Sequence, residues 1–280
     1  MRTNYKRCII IPTRAARRSS EILHPNIPQE FAQKLKQVPL RPADNSNQLP
    51  NKFEDQPWSI LCDFDGTISL VDVTDALLVS FALDGWQALE ADWVDGKIGS
   101  QQCMAAQVTL IDASKAQLDA RIAEIEIDAA FIEFVAAAND FGIPLSVVSD
   151  GLDYVIQSIL RRHSITKLPI VANKLEQIND RRWRLDFPNA RDDCRKSSGT
   201  CKCALLQQAR KNGRVLFIGD GASDFCVSGQ ADFVLAKGPL IDYAIAEGIS
   251  HAPINGFQDA LIWLAANVRQ KPLPARLACA

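Results

Sequence analysis

The sequence has no apolar run close to the roughly 18 residues needed to cross a membrane, and its longest apolar runs are of strand length. Its eight cysteines in 280 residues are too few for a fold held together by disulfides. Only three histidines are present, and none lies at the end of a predicted strand. These shortages argue against a membrane protein and a disulfide scaffold. The remaining composition, 47% hydrophobic and 23% charged, is that of a globular protein.

The net charge is small, −2, but it is unevenly distributed along the chain. Residues 1–52 contain ten basic and three acidic residues, whereas the rest of the chain contains 21 basic and 30 acidic residues. An acidic body does not attract a polyanion, so no nucleic-acid partner is expected. It can still bind a phosphate group if a metal ion and local backbone amides are present.

Residues 1–56 are predicted to form a disordered basic extension, because prolines recur throughout and Asn and Gln crowd residues 45–51. The first twenty residues contain five arginines and no acidic residue, which weakly resembles an organelle-targeting peptide. No secretory signal is visible, and Cys62 and Cys103 fall inside predicted elements, as reduced cysteines do in cytoplasmic enzymes. A cytoplasmic location is therefore expected. Residues 271–280 are predicted to be a flexible tail.

A helical segment is predicted over residues 72–124, because apolar residues recur there at helical spacing and glycines interrupt them. Ser100 and Ser114 are expected to cap two of its helices at their N-termini. Trp86 and Trp93, seven residues apart, are expected to lie in the core of this small bundle. The segment is long enough to form a separate cap of about fifty residues.

Strands alternate with helices in residues 57–71 and 125–270, which are predicted to form the core domain. Such alternation is typical of a parallel sheet covered by helices on both faces. We therefore predict an α/β fold, a Rossmann-like parallel sheet with a small helical cap inserted after the first strand. Besides the first strand at 58–63, the predicted strands are 145–148, 170–172, a hairpin of 174–178 and 182–187, 215–218 and 233–236, and the predicted helices are 129–139, 152–162, 201–211, 240–246 and 257–268.

Carboxylates and hydroxyls follow three of the predicted strands. The first strand ends in Asp63 and Asp65, the next ends in Ser149, and a later one ends in Asp220. In an open parallel sheet the ligand lies at these carboxyl ends, so the side chains are expected to face one site. Clustered carboxylates repel one another unless a cation lies among them, and Asp63 and Asp220 offer the hard oxygens that suit Mg²⁺. Lys202 would offset further charge and bind an incoming anion.

Asp63 and Asp65 are the sharpest functional feature of the sequence. Two residues apart at a strand exit, they can approach one site from different angles, one as a nucleophile and the other as a proton donor and acceptor. Gly66 would let backbone amides approach a phosphate, and Thr67 or Ser149 could donate to its oxygens. Two aspartates at a strand end could also be explained without catalysis, because such an Asp often caps the next helix at its N-terminus. The whole set, in which these aspartates are followed along the chain by Ser149, Lys202 and Asp220, is much harder to explain by chance.

This set resembles the four motifs of the haloacid dehalogenase (HAD) superfamily of phosphatases. Here they are Asp63-Phe64-Asp65-Gly66-Thr67, Ser149, Lys202 and Gly219-Asp220-Gly221-Ala222-Ser223-Asp224. The resemblance covers roughly residues 57–268. The predicted helical insertion is similar to the small cap of the phosphoserine phosphatase-like branch.

The resemblance implies a Mg²⁺-dependent phosphatase that acts on a small phosphorylated metabolite through an aspartyl-phosphate. Asp63 would be the nucleophile, and Asp65 the general acid and base. The side chains of Asp63 and Asp220 and the backbone carbonyl of Asp65 would hold Mg²⁺, while Asp224 would brace the metal's waters or the lysine. The residues implied in phosphate binding are Gly66, Thr67, Ser149, Asp150, Gly151 and Lys202.

A closer resemblance, to the methionine-salvage phosphatases of this superfamily, comes from Ser149-Asp150-Gly151-Leu152-Asp153-Tyr154 and Asp186-Phe187-Pro188-Asn189. Those enzymes act on 2-hydroxy-3-keto-5-methylthiopentenyl-1-phosphate, so this enol phosphate and phosphoserine are the two substrates implied. Asp72 lies where phosphoserine phosphatases carry a Glu that contacts the substrate amine, which makes it a candidate substrate-binding residue. A phosphomutase and a non-catalytic protein that binds a phosphometabolite remain as alternatives.

Three cysteines close to Lys202 in the sequence could bind zinc, form a disulfide or pack in the interior. They are Cys194, Cys201 and Cys203. Their spacing lacks the C-x₂-C pair of common zinc sites, and no fourth ligand lies nearby in the sequence. Packing or a local structural role is therefore the favoured interpretation.

Overall fold

The computed structural model describes residues 56–267. The basic extension predicted for residues 1–56 lies outside this range apart from Gln56, and so does the tail predicted at 271–280. The strands are β1 (Trp58–Cys62), β2 (Leu145–Leu152), β3 (Ile170–Gln177), β4 (Trp183–Asp186), β5 (Arg214–Gly219), β6 (Phe233–Ala236) and β7 (His251–Pro253).

The seven strands form one sheet in the order β4-β3-β2-β1-β5-β6-β7. Strand β4 runs antiparallel to β3, and every other neighbouring pair is parallel. The chain moves outwards from β1 to β4 on one side and from β5 to β7 on the other. Strand β1 therefore lies where the strand order reverses, the usual place for a ligand crevice. The predicted α/β fold with a Rossmann-like parallel sheet is confirmed.

The helices connect these strands, and none between residues 56 and 267 is both long and apolar enough to cross a membrane. Single 3₁₀ turns are present at Arg210–Asn212 and Ala222–Asp224. The α-helices are α1 (Val73–Phe81), α2 (Trp86–Val94), α3 (Ser100–Thr109), α4 (Lys115–Ala123), α5 (Ala130–Asp140), α6 (Asp153–Arg162), α7 (Lys202–Ala209), α8 (Phe225–Ser228), α9 (Pro239–Ala246) and α10 (Phe257–Asn267).

The central strands are buried on both faces. In β5, the side chains of Leu216, Phe217 and Ile218 are all fully buried, although successive side chains point to opposite faces of the sheet. Helices cover both faces of a parallel sheet, which explains why its strands are continuous apolar runs in the sequence. These runs are the reason that the strands next to the site could be predicted.

Helices α1 to α4 form an insertion (residues 73–123) between β1 and β2. Ser114 caps α4 through a capping box, as predicted. The prediction that Ser100 caps a helix is wrong, because Gly99 occupies the N-cap position of α3. The Ser100 hydroxyl instead donates to Asp150 Oδ2 in β2, at 2.7 Å.

The predicted burial of Trp86 and Trp93 is also wrong. Helix α2, which carries both rings, has no buried residue. Both side chains are half-buried, and Trp93 lines the cavity described below. Helix α2 is nine residues long and packs on α3, so its apolar side meets one neighbouring helix rather than the centre of a bundle.

The β3–β4 hairpin holds one end of the insertion. Arg181, in the turn of the hairpin, donates to Asp112 Oδ1 at 2.5 Å, to the Asp112 carbonyl at 2.8 Å and to Gln117 Oε1 at 2.9 Å. Trp183 Nε1 donates to the Ala113 carbonyl at 2.9 Å. The junction between α3 and α4 is therefore fixed to the antiparallel edge of the sheet.

Two strands differ in length from the prediction. Strand β2 continues beyond the predicted 145–148 as far as Leu152, and its register against β3 shifts between Val148 and Leu152. Strand β3 unites the stretches predicted separately as 170–172 and 174–178. The strand residues that were not predicted include polar ones, and an apolar run identifies only the buried part of a strand.

Three phenylalanines join α5 to α10. Phe257 is 1% exposed, and its ring centroid lies 4.7 Å from that of Phe131 and 5.2 Å from that of Phe134. Phe257→Ala is expected to lower the free energy of unfolding by about 3–5 kcal/mol, because a buried ring is replaced by a cavity. Urea denaturation measures this change. Ile245→Ala, at a side chain that is 63% exposed, should leave the midpoint nearly unchanged, and an equal loss in both variants would contradict the assignment.

Candidate active site

Three neighbouring strands bring their carboxyl ends together at one edge of the sheet. Strand β1 lies between β2 and β5 and pairs in parallel with both. Asp63 directly follows β1, Ser149 lies near the end of β2, and Asp220 directly follows β5. Helix α7 adds Lys202 at its first position. The structure therefore brings the predicted residues of all four motifs to one place.

The Lys202 ammonium lies between two buried carboxylates. Its Nζ is 2.8 Å from Asp63 Oδ2 and 2.6 Å from Asp224 Oδ1, and none of the three side chains is more than 5% exposed. Charges buried this deeply need further hydrogen bonds to replace the lost water. Asp224 Oδ2 accepts one from the backbone amide of Asp220, at 2.9 Å, and Lys202 donates one to Ser223 Oγ, at 3.1 Å.

The pKa values of these groups reflect both their burial and their mutual charges. Burial raises the pKa of Asp63 well above its usual range, and the charge of Asp224 adds to this effect although Lys202 opposes it. Burial also opposes the charged form of Lys202, yet Asp224 and Asp63 together raise the pKa of Lys202 above its ordinary value. The lysine therefore stays protonated, and its charge alone does not satisfy the carboxylates.

The Asp65 carboxyl group occupies a different position from that of Asp63. Its Oδ1 accepts a hydrogen bond from the Val73 amide at 2.9 Å, and its Oδ2 accepts one from the Ser149 hydroxyl at 3.4 Å. Burial and the charge of Asp72 raise the pKa of Asp65 to about 7. A carboxyl group with such a pKa can hold and release a proton near neutral pH, which suits a general acid and base.

Gly66 allows the chain to pass close to Asp220. Its φ is +70°, and a Cβ at this position would lie 2.4 Å from Asp220 Oδ2, so only glycine fits. Thr67 Oγ1 donates to Asp220 Oδ1 at 2.7 Å, which orients this carboxylate. Lys237 Nζ donates to the Gly66 carbonyl at 2.7 Å. Lys237 was not among the predicted site residues, although it directly follows β6 and so lies at a strand end like the others.

A group of three carboxylates has the geometry to hold a metal ion. Oxygen atoms of Asp63, Asp220 and Asp224 lie within 4.8 Å of one another. Lys202 contacts two of these three carboxylates, Asp63 and Asp224, so the carboxylates of the group outnumber the ammonium that it contains. Burial and the charge of Asp224 raise the pKa of Asp220, although Thr67 opposes this through its hydrogen bond. Hard oxygen ligands and this excess of negative charge fit a divalent cation such as Mg²⁺.

Ser149 and Gly151 lie beside Asp65. The Gly151 amide donates to Ser149 Oγ at 2.9 Å and so fixes the position of the hydroxyl. A Cβ on Gly151 would lie 2.4 Å from Asp65 Oδ2 and 3.0 Å from Ser149 Oγ. The close approach of this strand to the carboxyl group of Asp65 therefore requires glycine.

Asp150 has partners that the sequence did not reveal. Its carboxylate accepts hydrogen bonds from Ser100 Oγ at 2.7 Å, from Asn173 Nδ2 at 3.1 Å and from the Thr200 amide at 2.8 Å. These donors belong to the insertion, to β3 and to the segment before α7. The carboxylate would repel a phosphate and its oxygens are already bonded, so a phosphate contact at this residue would come from the backbone.

A cavity of about 230 Å³ lies between the strand ends and the insertion. Asp72, the candidate substrate-binding residue, lines it and also caps α1 by accepting from the Asp75 amide at 2.9 Å. Burial raises the pKa of Asp72 above its ordinary value. The other lining residues from the insertion are Thr74, Asp75, Glu90, Trp93, Ser100, Cys103, Met104 and Gln107.

Lys202→Met is expected to lower the free energy of unfolding by about 3–5 kcal/mol, because Asp63 and Asp224 would then face each other without a cation. Urea denaturation at neutral pH in the absence of divalent metal ions measures this loss. The chain offers a matched control in Lys97, which also lies between two carboxylates, Asp92 at 2.9 Å and Asp95 at 3.1 Å, but is 61% exposed. Lys97→Met should leave stability nearly unchanged, and similar losses in both variants would refute the argument.

Asp150→Ala is expected to lower the free energy of unfolding by about 1–3 kcal/mol, since the buried Thr200 amide would lose its acceptor. Ser100→Ala removes one half-buried hydroxyl from the same network and should cost clearly less. Thermal unfolding of the two variants in parallel makes the comparison. A larger loss for Ser100→Ala would show that the contact with the insertion dominates instead.

The sequence of this chain is similar to those of known proteins. A sequence profile of haloacid dehalogenase-like hydrolases matches residues 60–228. The 2-hydroxy-3-keto-5-methylthiopentenyl-1-phosphate phosphatase of Geobacillus kaustophilus is 34% identical over 206 residues, which cover 72% of this chain and 93% of that protein. The enzyme of the same name from Geobacillus thermodenitrificans is 32% identical with the same coverage.

Solved structures agree with these matches at the level of the fold. A HAD family hydrolase from Salmonella enterica serovar Typhi aligns with a TM-score of 0.60 and 20% identity, covering 79% of this chain and 75% of that one. A phosphoserine phosphatase, solved as a phospho-aspartyl intermediate analogue, aligns with a TM-score of 0.57 and 18% identity, covering 75% and 99%. The profile match and the similarity to the curated relatives, together with the fold, show that the chain belongs to the haloacid dehalogenase-like hydrolases.

Proposed function

We propose that this protein is a phosphatase that hydrolyses a small phosphomonoester. The observation that carries the proposal is the buried contact of 2.8 Å between Asp63 and Lys202, with Asp65 and Ser149 at the same edge of the sheet. A nucleophilic carboxylate, a fixed cation and a second carboxyl group are the groups that phosphoryl transfer uses. The relatives from Geobacillus are named as phosphatases, which supports the same reaction class.

Asp63 would attack the phosphorus atom. Its Oδ1 accepts a hydrogen bond from the Phe64 amide at 2.7 Å, and its Oδ2 faces Lys202, so the carboxylate has a fixed orientation. Attack forms an aspartyl-phosphate and breaks the bond between phosphorus and the ester oxygen of the substrate. Water then cleaves the aspartyl-phosphate, which releases inorganic phosphate and restores the carboxylate.

Asp65 would move the proton in both steps. It gives a proton to the departing ester oxygen, and it then takes one from the water that attacks the aspartyl-phosphate. Its hydrogen bonds to the Val73 amide and the Ser149 hydroxyl hold the carboxyl group beside the nucleophile. Each of the two carboxyl groups therefore returns to its starting state after one turnover.

Several groups would stabilise the charge on the phosphoryl oxygens. Lys202 Nζ and Ser149 Oγ are donors at the edge of the sheet where this charge would develop. The side chains of Asp63 and Asp220 and the backbone carbonyl of Asp65 would hold Mg²⁺, which supplies further positive charge when it is bound. Asp224 would act on Lys202, which it holds at 2.6 Å.

The cavity favours the methionine-salvage enol phosphate over phosphoserine as the substrate. Among the described residues that line it, there is no Lys or Arg, so the carboxylate of phosphoserine would meet no cation. Trp93 and Met104 offer apolar and polarisable surface to a methylthio group. The names of the Geobacillus relatives, which specify this enol phosphate, support the same choice.

The test is phosphate release from a panel that contains the enol phosphate, phosphoserine, phosphocholine and a sugar phosphate. Turnover is expected to require Mg²⁺, to be abolished by EDTA and to be highest with the enol phosphate. Asp63→Asn should lower kcat/KM by at least about 1,000-fold, because the amide is not a nucleophile. Asp242→Asn, at an exposed carboxylate of α9, is the matched control and should keep full activity.

Other outcomes would contradict the mechanism, the reaction class or the choice of substrate. Turnover that survives in Asp63→Asn would overturn the aspartyl-phosphate mechanism. Isomerisation of the substrate without free phosphate would indicate a phosphomutase, and Mg²⁺ binding without turnover of any panel member would favour a non-catalytic protein. A preference for phosphoserine would overturn the choice of substrate alone.

A further inference from the structure

One of the three cysteines near Lys202 lies beside a fourth cysteine, Cys226, which is distant in the sequence. Cys203, in the first turn of α7, lies with its Sγ 3.4 Å from Sγ of Cys226 in α8. Both side chains are half-buried, so a small reagent can reach them. Cys201 is 6% exposed, and Cys62 and Cys103 are buried as well. Cys203 and Cys226 are therefore a close and accessible pair of thiols.

The surroundings of the pair favour thiol chemistry over metal binding. A structural zinc ion needs four ligands that converge on one point. Within residues 56–267, the cluster of three or more potential ligands is that of Asp63, Asp220 and Asp224, and it includes neither cysteine. Cys194 and Cys201 lie near the pair, but no three of these four sulfurs are close enough to one another to form a metal site, so Cys203 and Cys226 fit a pair that can be oxidised.

We propose that Cys203 and Cys226 form a reversible disulfide that controls the activity of this enzyme. A disulfide bond is about 2.05 Å long, so the two sulfurs need to approach by little more than 1 Å. In a reducing compartment such bonds are typically transient and sense oxidants. The effect on turnover rests on the phosphatase function proposed above, whereas formation of the bond does not.

Hydrogen peroxide is the class of oxidant that completes the reaction. One thiol releases its proton, its thiolate attacks a peroxide oxygen, and the O–O bond breaks to give a sulfenic acid. The departing hydroxide takes up the released proton and becomes water. The second thiol then displaces water from the sulfenic sulfur and forms the S–S bond. Two thiols and one peroxide thus give one disulfide and two waters, and a dithiol reductant reverses the change.

The position of the pair explains how the bond would reach the active site. Cys203 directly follows Lys202, and Cys226 lies two residues after Asp224. Lys202 and Asp224 are in contact at 2.6 Å, and Lys202 also holds Asp63. Drawing the two sulfurs together shifts the backbone that carries this ion pair. Since a misplacement of about 1 Å costs up to about 100-fold in rate, oxidation should lower kcat/KM by about 10- to 100-fold.

The test treats the full chain with hydrogen peroxide, alkylates the remaining thiols and identifies the linked peptides by mass spectrometry. The expected result is a peptide pair joined through Cys203 and Cys226, lighter by two hydrogen atoms and separated by dithiothreitol. Activity should fall with formation of this peptide and return on reduction. Cys226→Ser should form no such link and should keep its activity in peroxide. Cys194→Ser, at a nearby cysteine that is equally half-buried, is the control and should respond like the unmodified protein.

The linked peptide and the enzyme activity are measured independently, so the disulfide and the phosphatase function are tested separately. Separate alkylation of Cys203 and Cys226 after peroxide treatment would overturn the proposal, and so would purified protein that holds zinc through these thiols. A linked peptide with unchanged activity would refute the control of turnover. If the reduced protein has no phosphatase activity at all, the proposed function fails, while the linked peptide still tests whether the disulfide forms.

Discussion

A buried ammonium between two buried carboxylates is the constraint on which the site depends. Lys202 at the start of α7 contacts Asp63 at the end of β1 and Asp224 after β5. Three distant parts of the chain therefore meet at one cation, and the loss of this cation would leave two buried carboxylates unpaired. Because carboxylates outnumber the ammonium, the same cluster attracts further positive charge. The contact that holds these segments together is therefore also the one on which the proposed binding of a metal ion and a phosphate depends.

The sheet, the insertion and most of the carboxylate cluster could be predicted because each depends on local patterns. Unbroken apolar runs identified the buried strands, and the polar residues after them identified Asp63, Ser149 and Asp220. The position of these residues follows from the topology of parallel strands, which places the carboxyl ends at one edge. Lys202 could be identified because it stands in order between the second and fourth motifs.

The rest depends on contacts between residues that are far apart in the sequence. The partners of Asp150, which are Ser100, Asn173 and Thr200, lie 50, 23 and 50 positions away, and no local pattern connects them. The error at Trp93 has a related cause, since helical periodicity shows that a face is apolar but not what this face contacts. In this chain the face meets a cavity, where apolar surface is available to a substrate.

The hydrogen bonds of Arg181 restrict how the insertion can move over the cavity. They attach the junction of α3 and α4 to the hairpin, so the insertion cannot swing as one rigid lid without breaking them. Helix α2 is different, because it has no buried residue and is flanked by Gly85 and Gly96, both with positive φ. Of the helices of the insertion, α2 is therefore the one that buried packing holds least, so movement over the cavity is expected there rather than at the junction.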